Sequence, residues 1–202
     1  MRSKETQKKI KEYQNNFLLY GSDSRALKWL SPESAEIRYR ELIKDIDFEN
    51  KTILDVGCGF GDIIPFIKSK SSDFEYLGVD MVEDFIKEAK KRYPSFDFKI
   101  IDYFSKPIRI KFDIIICCGA LNSKFKSIKS YQREAIKIMF GNAKEAICFN
   151  MAGSHPRPLR RRESKLYYSD SLEILKFCLS LTNKIIFRQN YHKRDFTISM
   201  WK

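Results

Sequence analysis

The residues best suited to chemistry follow the first short apolar run of the chain, in the segment ILDVGCGFGD. Glycines stand at alternate positions, Gly57, Gly59 and Gly61, directly after a run typical of a buried strand. Glycine permits a positive φ and lets a ligand approach main-chain atoms closely, and a following helix has unpaired N–H groups at its start. Asp80 ends the next apolar run, where a carboxylate can accept hydrogen bonds from ribose hydroxyls. The pattern predicts a nucleoside-containing cofactor at the carboxyl ends of the strands.

The glycine spacing and one acidic residue distinguish between cofactors. The dinucleotide pattern is G-x-G-x-x-G, whereas this loop has G-x-G-x-G and no Lys followed by Ser or Thr as in a P-loop. Asp55 precedes the loop, and its carboxylate would repel a pyrophosphate but suit a ligand with an ammonium group. These features favour S-adenosylmethionine (SAM), which carries a ribose, a sulfonium and an amino-acid end but no phosphate. The alternative is an ordinary strand–turn–helix connection in which Asp80 is acidic by accident.

The elements that must position these residues are visible in the hydrophobic pattern. From Lys51 on, short runs rich in Ile and Val alternate with amphipathic stretches, which predicts an α/β fold with helices on both faces of a parallel sheet. The last two strands are joined by the short turn 192–194, so they must be antiparallel. The predicted strands are 52–56, 75–79, 96–101, 112–118, 145–150, 185–191 and 196–201, and the helices are 1–18, one after Ser31-Pro32-Glu33, 62–69, 82–93, 128–140 and 170–181.

The segments ILDVGCGFGD, YLGVD, FKIIDYF and FDIIICCGALN resemble the motifs of class I SAM-dependent methyltransferases. The resemblance runs from about Lys51 to the C-terminus. It implies a seven-stranded Rossmann-like sheet, mostly parallel with a C-terminal antiparallel hairpin, in which residues 51–202 are the SAM-binding core. Residues 1–50 are then an N-terminal helical cap of the same domain.

The same resemblance implies a set of cofactor contacts. It places Asp55, Gly57, Cys58 and Gly59 around the methionine end, Asp80 at the ribose, Met81 on the adenine, Asp102 with Tyr103 at the adenine amino group, and Cys118 with Gly119 beside the methyl donor. The N-terminal part is similar to a bacterial subgroup in which Arg38 pairs with the cofactor carboxylate and Trp29 lines the site. The alternatives for these two residues are a helix-surface ion pair and a core aromatic.

The segment HPRPLRRRES carries the residues most suited to a methyl acceptor. Arg157, Arg160 and Arg161 present planar forks matched to phosphate or carboxylate oxygens. His155 follows the fifth strand and is either a base or a solvated loop histidine, and Tyr168 closes the pocket or only staples the loop. The sequence therefore predicts methyl transfer to an oxygen or nitrogen of an anionic small molecule, such as a phosphorylated metabolite or a surface-polysaccharide precursor.

Composition limits the alternatives. The chain has 202 residues, which suits one domain, and Lys plus Arg (38) minus Asp plus Glu (26) gives a net charge of +12. That charge leaves RNA methylation as an alternative, although there is no room for an appended RNA-binding module. A non-catalytic SAM-binding protein is a second alternative. The segment CCGALN lacks the Asn/Asp-Pro-Pro-Tyr and Pro-Cys motifs of base methylation, so DNA is not an expected partner.

The remaining expectations concern location and metals. Five cysteines without a disulfide-like spacing indicate a reducing, cytoplasmic setting. The first residues are polar and basic, and no apolar run approaches the length of a membrane span, so we expect neither a secretory signal nor a membrane partner. No metal-ligand spacing is present, and His192 is expected to lie on the surface. The oligomeric state is not predicted.

Overall fold

The computed structural model describes residues 4–156 and 166–202. Its strands are β1 (Lys51–Val56), β2 (Phe74–Asp80), β3 (Asp97–Ile100), β4 (Phe112–Cys118), β5 (Ala143–Ser154), β6 (Ser169–Asp170), β7 (Ile185–Arg188) and β8 (Asp195–Trp201). They form one sheet in the order β3-β2-β1-β4-β5-β8-β7, and the two-residue β6 pairs with β5. Strands β1 to β5 pair in parallel, whereas β8 runs antiparallel to β5 and β7. The predicted mostly parallel sheet with an antiparallel C-terminal hairpin is confirmed, and β6 is an addition to it.

Two of the helices begin at a side-chain cap. The helices are α1 (Lys4–Tyr20), α2 (Pro32–Ile43), α3 (Ile64–Lys68), α4 (Glu83–Arg92), α5 (Ile128–Asn142) and α6 (Ser171–Leu179). The Ser31 hydroxyl accepts a hydrogen bond from the backbone N–H of Ser34 at 3.2 Å, directly before α2. The Asp170 carboxylate does the same for Leu172 at 2.9 Å, directly before α6. Side-chain acceptors of this kind satisfy N–H groups that have no partner inside the helix.

Hydrophobic side chains cover both faces of the sheet. Strands buried on both faces are expected to be continuously apolar, as Ile53–Leu54 and Ile114–Cys117 are. One face is covered by α5 and α6, and the other by α2, α3 and α4. The residues that pack on the first face include Ala135, Ile136, Met139, Ile174 and Cys178, and those on the second include Tyr39, Leu42, Ile64, Ile67, Ile86 and Ala89.

Helix α1 packs away from these two cores, in a small aromatic cluster. The ring centroids of Phe17 and Phe60 are 5.9 Å apart, and those of Tyr13 and Phe85 are 5.7 Å apart. The Arg92 guanidinium on α4 donates a 2.6 Å hydrogen bond to the carbonyl of Ser22. The N-terminal elements therefore lie against the loop that follows β1. That residues 1–50 act as a cap for a bound cofactor remains a prediction.

The C-terminal hairpin is shorter than its sequence pattern predicts. Strand β7 ends at Arg188, three residues before the predicted end, and the connection to β8 is correspondingly longer. The reason lies at Gln189, whose side-chain amide accepts from the backbone N–H of His155 at 2.8 Å and donates to its carbonyl at 2.9 Å. The chain therefore leaves the ladder at Gln189 and holds the end of β5 instead. Within the described residues, no helix is both long and apolar enough to cross a membrane.

Candidate functional site

The carboxyl ends of the parallel strands meet at one edge of the sheet, and the strand order reverses between β1 and β4. A reversal of this kind opens a crevice that binds ligands in open α/β sheets. The glycine loop lies in this crevice. Gly57 has a φ of 77°, and a Cβ placed there would lie only 2.6 Å from the Cβ of Ala120. The N–H groups of Gly57 and Cys58 donate to the carbonyl of Val79, at 2.8 and 3.1 Å. The close approach thus requires glycine at position 57.

Asp55 is a buried carboxylate at the end of β1. It is 3% exposed, and one oxygen, Oδ2, accepts a 2.7 Å hydrogen bond from the hydroxyl of Tyr76. The other oxygen, Oδ1, is buried and has no hydrogen-bond partner among the described residues. Burial raises the pKa of Asp55 to about 7, although Tyr76 lowers it and the nearby Asp80 raises it further. An unsatisfied buried acceptor is costly, so the structure leaves a place for a donor at Oδ1.

Asp80 lies at the end of the neighbouring strand β2. Its Oδ2 accepts from the backbone N–H of Gly59 at 3.1 Å, and its Oδ1 accepts from that of Val82 at 2.9 Å. Burial raises the pKa of Asp80, while hydrogen bonds from Val82, Gly59 and Met81 lower it. Each carboxylate oxygen can accept more than one hydrogen bond, so Asp80 both fixes the glycine loop and retains capacity for ligand hydroxyls.

The residue after Asp80 lies under the N-terminal elements. Met81 packs with the small cluster of Ala26 and Phe60. The side chain of Leu27 lies 3.0 Å from a Cβ position built at Gly59. The structure therefore brings the predicted adenine-contacting Met81 and the glycine loop against the same N-terminal segment.

Of the two residues predicted to bind the adenine after β3, Asp102 lies near the surface and Tyr103 lies in the core. The Asp102 carboxylate is half-buried and accepts from the Ser105 hydroxyl at 3.0 Å. The Tyr103 ring is 2% exposed within the core beneath α5, and its hydroxyl accepts from the side-chain amide of Asn142 at 3.1 Å. The Tyr103 side chain is therefore a core residue, and only Asp102 keeps its side chain near the edge.

Two buried asparagines hold the end of β4. The Asn150 Oδ1 accepts from the backbone N–H of Gly119 at 2.7 Å, and the Asn122 Nδ2 donates to the Gly119 carbonyl at 3.1 Å. Asn150 also donates to the Sγ of Cys118 at 3.5 Å. The Trp29 ring lies 2.9 Å from a Cβ position built at Gly119, so the predicted Trp29 does contact this end of the strand. Sequence reasoning missed both asparagines, although a polar Asn150 after the apolar AICF is a usable signal.

Arg38 has partners inside the protein, and its predicted pairing with the cofactor carboxylate stays a prediction. Its guanidinium forms a buried ion pair with Asp195 on β8 and also bonds the Ser34 hydroxyl at 2.7 Å. Its carbon Cζ lies 5.2 Å from the centroid of the Trp29 ring. Because a neighbouring carboxylate and hydroxyl already engage the guanidinium, Arg38 is placed beside the site as part of an internal ion pair.

The residues expected to face the acceptor are only partly described. Arg157, Arg160 and Arg161 lie outside the described residues. His155 Nδ1 lies 3.2 Å from both oxygens of Asp170, and the His155 side chain is 48% exposed. Tyr168 is half-buried just before β6. No cluster of three or more His, Cys, Asp or Glu side chains suited to a metal occurs in the described ranges.

The sequence matches a family model and is similar to known proteins. A family model described as "Methyltransferase domain" matches residues 47–153. A candidate methyltransferase of Invertebrate iridescent virus 6 is 42% identical over 67 residues, which cover 33% of this chain and 25% of the viral protein. A candidate methyltransferase of Mycobacterium tuberculosis is 22% identical over 158 residues, 75% of this chain and 93% of that protein.

Solved structures share the fold. The N-methyltransferase NodS from Bradyrhizobium japonicum WM9, solved with S-adenosylhomocysteine (SAH), is similar with a TM-score of 0.63 and 14% identity, over 94% of this chain and 97% of that one. This likeness shows that the two chains share their fold.

Proposed function

We propose that this chain, which belongs to the methyltransferase-domain family, transfers a methyl group from SAM to an oxygen or nitrogen atom of an anionic small molecule. The chain is a SAM-dependent methyltransferase, and the class of acceptor is what we propose. SAM supplies an activated methyl group on a sulfonium, so the protein mainly aligns the acceptor and excludes water.

The observation that carries the cofactor assignment is the unpartnered Oδ1 of Asp55. An ammonium group is the donor that best compensates a buried carboxylate, and the amino-acid end of SAM has one. Gly57, with a φ of +77° and Ala120 directly against it, requires glycine in the loop between Asp55 and Gly59. Asp80 has remaining acceptor capacity for ribose hydroxyls, and Gly119 is fixed by the buried side chain of Asn150. The described residues therefore fit SAM.

The experiment for the cofactor is calorimetric titration of the purified chain with SAM and SAH. Both ligands are expected to bind, and Asp80→Asn is expected to weaken both by about 10- to 100-fold, because a charge-assisted hydrogen bond contributes about 1.5–3 kcal/mol. Asp73→Asn, an exposed change directly before β2, is the matched control and should bind like the natural chain. No heat with SAM or SAH, together with saturation by NADH or ATP, would refute the assignment.

The acceptor proposal is supported by the arginines at 157, 160 and 161, by the net charge of +12 and by the position of their segment after β5. Transfer of labelled methyl from SAM into a pool of anionic metabolites, followed by mass spectrometry, tests it directly. The double change Arg160→Ala and Arg161→Ala should leave SAM affinity unchanged and raise the KM of the acceptor. Unchanged kinetics would remove the arginines from acceptor binding.

RNA methylation is the second candidate, and one observation favours it. Lys4, Lys8 and Lys11 are all exposed on α1, spaced along one face of the helix. Binding to bulk RNA near physiological salt separates the two candidates, because phosphate contacts make affinity fall steeply with salt. Tight, salt-dependent binding supports RNA, and weak binding supports the metabolite. A non-catalytic SAM-binding role would be indicated by an absence of SAH formation with every pool.

A further inference from the structure

One side chain, that of Arg92 at the end of α4, ties the N-terminal part of the chain to the glycine loop. Its Nη1 donates to Oδ1 of Asp62, which directly follows Gly61, and its Nη2 donates to the carbonyl of Ser22, each at 2.6 Å. Its Nε donates to Oε1 of Glu88, about one turn earlier on α4, at 2.9 Å. The planar guanidinium therefore fixes three segments at once, which the single ammonium of a lysine has no fork to do.

The same guanidinium also contacts the residue before the third glycine of the loop. Its Cζ lies 4.8 Å from the centroid of the Phe60 ring, which is fully buried. That ring packs edge-to-face on Phe85 of α4, with centroids 5.1 Å apart, and its centroid is 5.9 Å from that of Phe17 on α1. Arg92 thus holds the loop on both sides of Gly61.

Residues 22–29, which we call the N-terminal strap, lie across the candidate site. The side chain of Leu27 lies 3.0 Å from a Cβ position built at Gly59, and the Trp29 ring lies 2.9 Å from one built at Gly119. The strap therefore contacts both the glycine loop after β1 and the end of β4. These are the two strands between which the strand order reverses and the crevice opens.

The other end of the strap is held by α1. The Nζ of Lys28 lies 2.9 Å from Oε1 of Glu12 and 4.2 Å from the centroid of the Tyr13 ring. Among the described residues, the hydrogen bonds of Arg92 are those that connect the strap with the glycine loop. A change at position 92 therefore separates the loop from the strap while it leaves the contact with α1 in place.

We propose that Arg92 is a positioning residue for the cofactor, and that it holds the glycine loop and the N-terminal strap in the arrangement that binds SAM. The inference rests on the proposed function, because it takes the glycine loop as the place where the methionine end of SAM binds. Binding costs less when the site is already ordered. Without the guanidinium, the half-buried Asp62 loses its ion-pair partner, and the ligand itself must order the loop.

Positioning and charge predict opposite effects of removing Arg92. Because SAM is a cation, loss of a nearby positive charge would tighten its binding if charge alone mattered. Loss of the ordered loop weakens the binding of SAM, and it weakens by the same factor the binding of SAH, which has no sulfonium. Loss of a charge-assisted hydrogen bond changes an equilibrium constant by about tenfold or more. We therefore expect Arg92→Gln to raise both Kd values by about tenfold.

Calorimetric titration of the purified chain with SAM and with SAH measures these values. Lys91→Gln, an exposed change at the neighbouring position of α4, is the matched control for charge and should bind both ligands like the natural chain. Arg92→Lys replaces Arg92→Gln if the latter folds poorly by circular dichroism. It keeps the charge but not the planar fork, so it should also bind both ligands more weakly.

Hydrogen exchange, followed by mass spectrometry, separates positioning from a general loss of stability. The backbone N–H groups of Ala26 and Lys28 donate within the strap, to the carbonyls of Asp23 and Arg25, each at 2.9 Å, so their exchange reports opening of the strap. In the natural chain, saturating SAH should slow this exchange by at least about fivefold, because ligand and strap stabilise the same loop arrangement. In Arg92→Gln, SAH at about ten times its own Kd should slow it by less than about twofold.

A merely structural role of Arg92 would weaken binding but leave the slowing by saturating SAH intact, and that result would overturn the inference. Unchanged or tighter binding of SAM by Arg92→Gln, equal weakening by Lys91→Gln, or a strap that SAH does not protect in the natural chain would overturn it as well. If the natural chain bound neither SAM nor SAH, the proposed function would be overturned instead.

Discussion

Replacing the buried carboxylate of Asp55 is expected to stabilise the cofactor-free protein while weakening its cofactor site. The folded protein raises the pKa of Asp55 from 3.8 to about 7, chiefly by burial. A raised folded-state pKa means that the stability from this group is fully present below the unfolded pKa and is lost as pH rises to about 7. Between pH 5 and pH 7 the free energy of unfolding falls by about 1.4 kcal/mol per pH unit, or about 3 kcal/mol over the two units. Asp55→Asn removes that loss.

The measurement is the free energy of unfolding in urea without cofactor, at pH 5 and at pH 8. The free energy of unfolding of Asp55→Asn minus that of the natural chain should increase by about 3 kcal/mol from pH 5 to pH 8. Groups present in both proteins cancel in this difference. Asp113→Asn is the control. Burial would raise the pKa of Asp113, but hydrogen bonds from Thr52 and Lys144 lower it to about 2, so its difference should stay constant over this range.

The same substitution has a second consequence for binding. Because the ionised form of Asp55 is the one that compensates an ammonium group, the SAM affinity of the natural chain should improve up to about tenfold from pH 6 to pH 8. Asp55→Asn should bind SAM more weakly and without this dependence. A stability difference that stays flat from pH 5 to pH 8, or that moves the other way, would show that Asp55 is not held in the buried environment described.

Three further substitutions test the framework around the site. Gly119→Ala should destabilise the chain by about 1–2 kcal/mol in thermal or urea unfolding, because φ is +72° and the new methyl would meet Trp29 at 2.9 Å. Asn150→Ala leaves the N–H of Gly119 without its acceptor, so we expect a loss of about 1–3 kcal/mol and weaker SAM binding by calorimetry. Phe17→Ala removes the contact with Phe60 and should speed proteolysis within α1, whereas a digestion pattern like that of the natural chain would contradict the packing described.

The sequence predicted those parts of the fold and site that depend on local patterns. One strand–turn–helix–strand segment contains the run 52–56, the glycines after it and Asp80, so all three could be predicted from local patterns. The structure places them together. The boundary of β7 was wrong by three residues because the side chain of Gln189 binds His155, which lies 34 residues away. A long-range hydrogen bond of this kind does not alter the hydrophobic periodicity from which the strand was predicted.

The partners of individual side chains were much harder to predict. Arg38 and Asp195 are 157 residues apart, so the ion pair that engages Arg38 appears only when α2 packs against β8. Tyr103 shows the same limit, because adjacency to Asp102 predicts its position along the chain but not that its ring turns into the core. His192 lies in a turn that reads as solvated, and only the folded hairpin brings it to the buried carboxylate of Asp195.

The proposed reaction requires two ligands, SAM and an anionic acceptor, and each is expected to depend on different charges of the protein. SAM is a cation at its sulfonium and amino groups, and the proposed site offers it one buried carboxylate, Asp55, and one half-buried carboxylate, Asp80. The net charge of the chain is nevertheless +12. Exposed charges act weakly beyond about 8–10 Å in salt, whereas charges removed from solvent are screened less. We therefore expect cofactor affinity to depend on these two acids and not on the net charge. An anionic acceptor experiences the opposite balance, because its approach is through solvent, where the excess positive charge favours encounter. Raising ionic strength should therefore slow capture of the acceptor well before it weakens binding of SAM.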